Sequence, residues 1–142
     1  MIQEEAPKAF KFVDFTIPRF SVDIDNTIEY KIKMSFKPFG KYFETTGIYE
    51  LHLFFEATDE GTQEVLISAN PTFIFEFDKS YSFDEVPEYF FTNSIPIGFP
   101  YLRAFISSIT LQANLDVIML DLVKFSNIAK ALKENTEVIK KD

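Results

Sequence analysis

The chain has no cysteine, no tryptophan, one histidine and only four glycines among its 142 residues. The missing cysteine excludes disulfides, thiol chemistry and thiolate metal sites, and it fits a reducing compartment. A single histidine leaves little for metal or proton-transfer work. His52 stands between Glu50 and Glu56 in an alternating segment, so Glu50 and His52 share a face at i, i+2. That spacing permits a weak metal site or an acid–base pair. A solvated strand face accounts for the same residues and is the preferred reading. The glycines at 40, 47, 61 and 98 are scattered, so no phosphate-cradling loop is present. Neither a nucleophile elbow nor a serine–lysine pattern occurs. Carboxylate pairs such as Asp23 and Asp25 fall at strand ends, where solvation is their ordinary role. The chain reads as non-enzymatic, with no catalytic residue, no metal and no cofactor.

Positive charge is also in short supply. Fourteen Lys and Arg face 22 Asp and Glu, a net charge of −8. This argues against nucleic acid, which needs a basic footprint, and against an anionic membrane surface. Acidity keeps a protein soluble and steers basic or unfolded partners toward it. The N-terminal MIQEEAPK lacks the apolar core of a secretory signal. The uncharged gap from Arg103 to Asp116 is broken by Ser107, Ser108, Thr110, Gln112 and Asn114, too short and polar to span a bilayer. A cytoplasmic protein without direct membrane insertion is expected.

Phenylalanine is what the chain has in excess: 18 residues, with six tyrosines. Either the core is built from Phe, or the surplus serves oligomer contacts or an aromatic client-binding surface. The length suits one domain over residues 1–142. The first half alternates with period two. Ile28, Tyr30, Ile32, Met34 and Phe36 oppose Glu29, Lys31, Lys33 and Ser35, a half-buried strand. Tyr49, Leu51, Leu53, Phe55 and Ala57 mark another, its polar face interrupted by Phe54. Val65 through Phe77 marks a fourth, with Pro71 at a bulge or edge. The first strand, from Phe10 to Asp25, changes register twice and should break near Pro18 and Arg19. Turns are signalled at Asp25-Asn26, Pro38-Phe39-Gly40 and Asp59-Glu60-Gly61. The expectation is an α+β fold: a four-stranded antiparallel meander over about residues 10–78, a crossover loop at 79–98, a long helix over 100–114 and a shorter one over 126–139. Pro100 opens the first helix, and a Ser126 cap opens the second. Its amphipathic stripe runs Ile128, Ala131, Leu132, Asn135 and Ile139.

Between Glu88 and Asp116 the only charge is Arg103. Leu102, Phe105, Ile106, Ile109 and Ala113 form an apolar stripe, and Tyr101, Ala104 and Leu111 make a second face partly apolar. One sheet can cover only one of these faces, so a partner subunit or client is implied. Arg103 either binds a carboxylate at that interface or snorkels to water.

The run Phe99-Pro100-Tyr101-Leu102-Arg103 resembles the Phe-Pro-Tyr-x-Arg opening of the long helix in SecB-type export chaperones. Val117-Ile118-Met119-Leu120, then Val123-Lys124-Phe125, resembles that family's apolar stretch between its C-terminal helices. The match is specific over residues 99–132 and topological before them. Asp116 and Leu122 replace usual prolines, and Lys124 an asparagine, as in a divergent relative. The resemblance implies a homotetramer, a dimer of dimers, that holds unfolded polypeptides without ATP for protein export. It implies oligomer contacts at Tyr101, Leu102, Arg103, Phe105, Ile106 and Ile109. It implies a client groove at Tyr30, Ile32, Met34, Phe90, Phe91, Phe125 and Leu132. For the family's contact with the translocase motor SecA, Asp23 and Leu66 are the available positions, but Arg19 and Ser68 stand where other acidic residues belong, which argues against SecA docking. The alternatives are a SecB-like module dedicated to one partner, such as an antitoxin-type client, and a small-molecule binder or enzyme using His52 and Glu50.

Overall fold

The computed structural model describes residues 7–116 and 127–140. Its strands are β1 (Phe10–Thr16), β2 (Phe20–Val22), β3 (Ile32–Phe43), β4 (Ile48–Asp59), β5 (Val65–Ala69), β6 (Thr72–Phe77) and β7 (Thr136–Ile139). The helices are α1 (Glu88–Gln112) and α2 (Ile128–Glu134), and a 3-10 turn lies at Phe83–Glu85. The stretch resembling an interhelical segment, residues 117–125, and the Ser126 cap lie outside the described residues.

The four expected strands are all present, two of them split. Pro18 divides the first into β1 and β2, and Asn70-Pro71 divides the fourth into β5 and β6. The breaks lie side by side, with the Asn70 N–H donating to the Arg19 carbonyl at 3.0 Å. The order is β1-β6-β4-β3-β7, with β5 on β4 and β2 on β5. The expected meander is therefore corrected: the first strand crosses to the fourth. Its phenylalanines explain the choice, because Phe10, Phe12 and Phe15 stand opposite Phe77, Phe75 and Phe73 and bury against them. Periodicity sets which face is apolar, not which neighbour a strand takes.

Two more boundaries move. Pro38-Phe39-Gly40 is not a turn but the middle of β3, which pairs with β4 without a register shift from Ile32 to Phe43. The reversal comes at Gly47, whose φ of +74° suits a residue without Cβ. At the other end, the second helix stops at Glu134, and Thr136–Ile139 runs parallel to β3 as β7. Ile139 is thus a strand residue, and the sheet is mixed.

The long helix begins at Glu88, twelve residues ahead of Pro100, and runs through both Pro96 and Pro100. An interior proline costs about 3 kcal/mol. Both prolines face outward, while Phe90, Phe91, Ile95, Phe99, Leu102 and Ile106 bury against the sheet, each contributing about 1.5–3 kcal/mol. Burial wins. The helix approaches closely at Gly98, where a Cβ would lie 2.9 Å from the Phe73 ring. Seven of the 18 phenylalanines, Phe55, Phe73, Phe75, Phe77, Phe90, Phe91 and Phe99, are core, and Phe10, Phe12, Phe15, Phe36, Phe83 and Phe105 pack against it partly buried.

Three surface carboxylates hold turns. The Thr27 hydroxyl and N–H lower the pKa of Asp25, and the Thr62 hydroxyl, with the Lys31 and Thr62 N–H groups, lowers that of Asp59. The Ser82 hydroxyl and N–H do the same for Glu85. A depressed folded pKa means stability present above the unfolded value and lost as pH falls through the folded one. Thermal midpoints followed by circular dichroism should hold from neutrality to pH 5 and fall below about pH 4. The pair Asp25→Asn and Asp59→Asn should flatten that fall; an unchanged acid limb would refute the assignment.

Candidate functional site

The alternation along β3 turns its even-numbered side chains toward the helix and its odd-numbered ones outward. Toward the C-terminal end the inner row is sealed, with Pro38, Gly40 and Tyr42 buried. Toward the N-terminal end it opens. Ile32 is 41% exposed and Ile28, just before the strand, 51%. Tyr30, Met34 and Phe36 between and beyond them are half-buried. Tyr30 is fixed by the Asp25 N–H donating to its hydroxyl at 3.0 Å. Phe36 leans on Phe55 and Phe99, with ring centroids 5.2 and 5.7 Å away. The result is an apolar ramp running from the surface into the core.

Of the seven expected groove residues, Tyr30, Ile32 and Met34 lie on this ramp. Phe90 and Phe91 do not. They sit on the first turn of α1 rather than in a loop, and both are wholly buried, Phe90 against Tyr49, Phe75 and Phe77 and Phe91 against Tyr49 and Phe83. Leu132 is also fully buried, on α2. A groove lining must be accessible, so these three are corrected to core residues. Phe125 lies outside the described residues.

The sequence reading missed a second apolar spot on the outer sheet face. Phe54 is 49% exposed and borders a cleft of about 470 Å³ lined also by Lys37, Pro38, Phe39, Asn135, Thr136 and Glu137. Its signal was present, since Phe54 breaks the polar side of an otherwise alternating strand.

The expected interface residues divide in the same way. Leu102 and Ile106 are fully buried beneath α1, while Phe105, Ile109 and Arg103 are half-buried and Tyr101 is 42% exposed. Tyr101 packs on Phe12 and Phe15 at 5.0 and 4.8 Å, and Phe105 on Phe20 at 4.9 Å. Leu102 and Ile106 thus belong to the helix–sheet core and are corrected as subunit contacts. The outward face instead presents Pro96, Pro100, Tyr101, Ala104, Ser108 and Leu111, without a charge. Among the described residues Arg103 makes no ion pair.

Leu66 is 1% exposed. It is the extra residue of a bulge against Ala57 and Thr58, and its carbonyl accepts the Asp23 N–H at 2.8 Å. Asp23 is exposed, but Leu66 cannot offer a surface contact without unpacking. His52 and Glu50 do meet, Nε2 to Oε1 at 3.1 Å, and Thr72 Oγ lies 3.0 Å from Nδ1. With the proton on Nε2 the imidazole donates to Glu50 and accepts from Thr72, so its bonding is complete within the sheet. Among the described residues no group of three His, Cys, Asp or Glu could hold a metal ion, and no helix is long and apolar enough to cross a membrane.

An α+β chain with one long helix laid on a mixed sheet and a short C-terminal helix has the SecB-like fold. The SecB-like chaperone Rv1957 of Mycobacterium tuberculosis, solved with a ChAD peptide from the Rv1956 HigA1 antitoxin, superposes with a TM-score of 0.65 over 81% of this chain and 88% of that one, at 12% identity. The chain belongs to the family of the uncharacterized protein MJ0357 of Methanocaldococcus jannaschii, to which it is 31% identical over 123 residues, 84% of this chain and 74% of the relative. No protein-family model matches it.

Proposed function

We propose that this protein is a chaperone, not an enzyme, that binds unfolded polypeptide without ATP and acts in the cytoplasm as one unit over residues 1–142. The observation that carries this reading is the ramp of Ile28, Tyr30, Ile32 and Met34, large apolar side chains kept at the surface of an acidic chain. Methionine and aromatic side chains give adaptable contact with little sequence preference, and several weak contacts along one client add through effective concentration. The uncharged outer face of α1 supports self-association, as a tetramer built from two dimers. Stoichiometric protein should suppress aggregation of an unfolded client, and Ile32→Asp should weaken client binding roughly tenfold, the worth of one buried aliphatic side chain. No suppression at any ratio would end the chaperone reading.

A second reading, a module dedicated to one partner, has its own support. Leu66 is buried and Arg19 and Ser68 replace expected acidic residues, which weighs against translocase docking and an export role. The antitoxin peptide held by Rv1957 makes an antitoxin-type client a natural candidate. Purification from native lysate separates the two: one dominant partner favours the module, a broad set the general holdase.

A further inference from the structure

We propose that the outer face of the sheet, around Phe54, docks an acidic segment of a partner polypeptide, one that carries an apolar side chain between its carboxylates. This site lies across the sheet from the client ramp and does not rest on the chaperone reading.

Both helices lie on the inner face. Phe90 and Phe99 of α1 pack on Tyr49 and Phe36, and α2 is tied to Tyr49 through Thr136. Phe54 belongs to the opposite row of β4, where period two asks for a polar residue, and it stays 49% exposed. The strands set it in a straight row across this face. Lys37 stands opposite Phe54. Phe55 stands opposite Ala69, which puts Phe54 beside Asn70, and the Asn70 N–H donates to the Arg19 carbonyl at 3.0 Å. Arg19 lies two residues before Ser21, whose hydroxyl meets that of Ser68 at 2.6 Å on the outer face, so the two share a side. At about 4.8 Å per strand, Lys37 and Arg19 stand roughly 14 Å apart with Phe54 between them. The next row is low, with Ser35, Glu56, Ser68 and Ser21 side by side. Phe54 therefore rises beside a shallow trough.

Charge selects the occupant. Lys37 and Arg19 are exposed and make no ion pair among the described residues, and their row holds no carboxylate. Most other charges on this face already have an opposite beside them. Lys41 stands between Glu50 and Glu137, and Lys11 opposite Glu76. Lys33 and Asp23 lie beyond the serine row at its two ends, and Glu56 within that row offsets one cation. The Phe54 row is thus locally positive on a chain of net charge −8. Carboxylates on a partner segment complement Lys37 and Arg19, and an apolar side chain between them covers Phe54. Nucleic acid fits less well, because two cations and one exposed ring give too small a footprint for a phosphate backbone to hold an acidic protein.

Fluorescent peptides that share one Leu-Phe anchor, flanked on both sides by Glu, Gln or Lys, test this by anisotropy. The Glu peptide should bind about tenfold tighter than the Lys peptide at low salt and lose most of that advantage at about 1 M salt. Lys37→Glu with Arg19→Glu should reverse the order. Phe54→Thr, a strand-forming residue at an exposed position, should weaken the Glu peptide about tenfold with unchanged melting. If Phe54→Thr fails to fold, the charge-reversed pair decides. Ile32→Asp, on the inner face, should leave the Glu peptide's affinity as it was. Equal binding of the three peptides, an unchanged order in the folded charge-reversed pair, or undiminished binding by folded Phe54→Thr would each overturn the proposal. So would loss of binding in Ile32→Asp, which would assign the peptide to the ramp, or tighter binding of a single-stranded oligonucleotide than of the Glu peptide. Aggregation suppression is a separate measurement: its absence ends the chaperone reading and leaves this site standing.

Discussion

Gly40→Ala is expected to lower stability by about 3 kcal/mol, the upper range of an overpacked core plus a disturbed buried hydrogen bond. A Cβ at Gly40 would lie 1.9 Å from the Tyr49 hydroxyl, 2.5 Å from the ring carbon bearing it and 2.9 Å from Thr136 Oγ. Tyr49 has no room to retreat, being fully buried with its ring 4.7 Å from Phe90. Its hydroxyl shares a 2.6 Å hydrogen bond with Thr136 Oγ, which itself donates to the Leu132 carbonyl at 2.7 Å. One methyl group therefore strains the junction where β7 and α2 join the sheet. Urea unfolding measures the loss, and adding Tyr49→Phe, which deletes the nearest atom, should recover part of it. An Ala variant as stable as the parent would mean that β7 does not hold this register. Burial also raises the Tyr49 pKa and pushes that of Tyr42 up to about 12. Raised values mean stability present below the ordinary tyrosine pKa and lost as pH rises through the folded ones. The same junction should thus be the first to weaken in alkali.

What could be read from the sequence was what a single strand or helix face imposes. The alternation of Tyr49, Leu51, Leu53 and Phe55, and the breaks at Pro18 and Pro71, needed only local rules, and all are present. Strand order was not legible, because the phenylalanines of β1 would bury equally well beside any apolar strand. The start of α1 was hidden by Pro96 and Pro100. Local propensity places a boundary at a proline, whereas the contacts that carry the helix across both come from Phe73 on β6, Phe36 on β3 and Phe12 and Phe15 on β1, which no local rule brings to it. Strand β7 is four residues long and looked like the end of an amphipathic helix. The site suffered accordingly. The alternation of Tyr30, Ile32 and Met34 was legible, and these three are not closed off by the core. The burial of Phe90 and Phe91 follows only from the early start of α1, and Phe54, a single break in a polar face, has no period that assigns it a role.

The other large effect concerns the face of α1 that the sheet does not cover. Ala104 lies in the middle of it, exposed, with Pro100 and Ser108 one turn to either side and Leu111, 64% exposed, two turns on. Ala104 is the better probe than Tyr101, because Tyr101 also packs on Phe12 and Phe15 within the protomer. In a free protomer Ala104→Glu is a harmless change at a solvated helix position. In an interface it buries an unpaired carboxylate, which costs several kcal/mol and so weakens association by more than about a hundredfold. Light scattering should find a mass near four protomers for the parent and a smaller species for Ala104→Glu, with unchanged circular dichroism and melting of the protomer. Leu111→Glu should act in the same direction. A monomeric parent, or a tetramer indifferent to both charges, would place the subunit contacts elsewhere and leave this uncharged face available to clients.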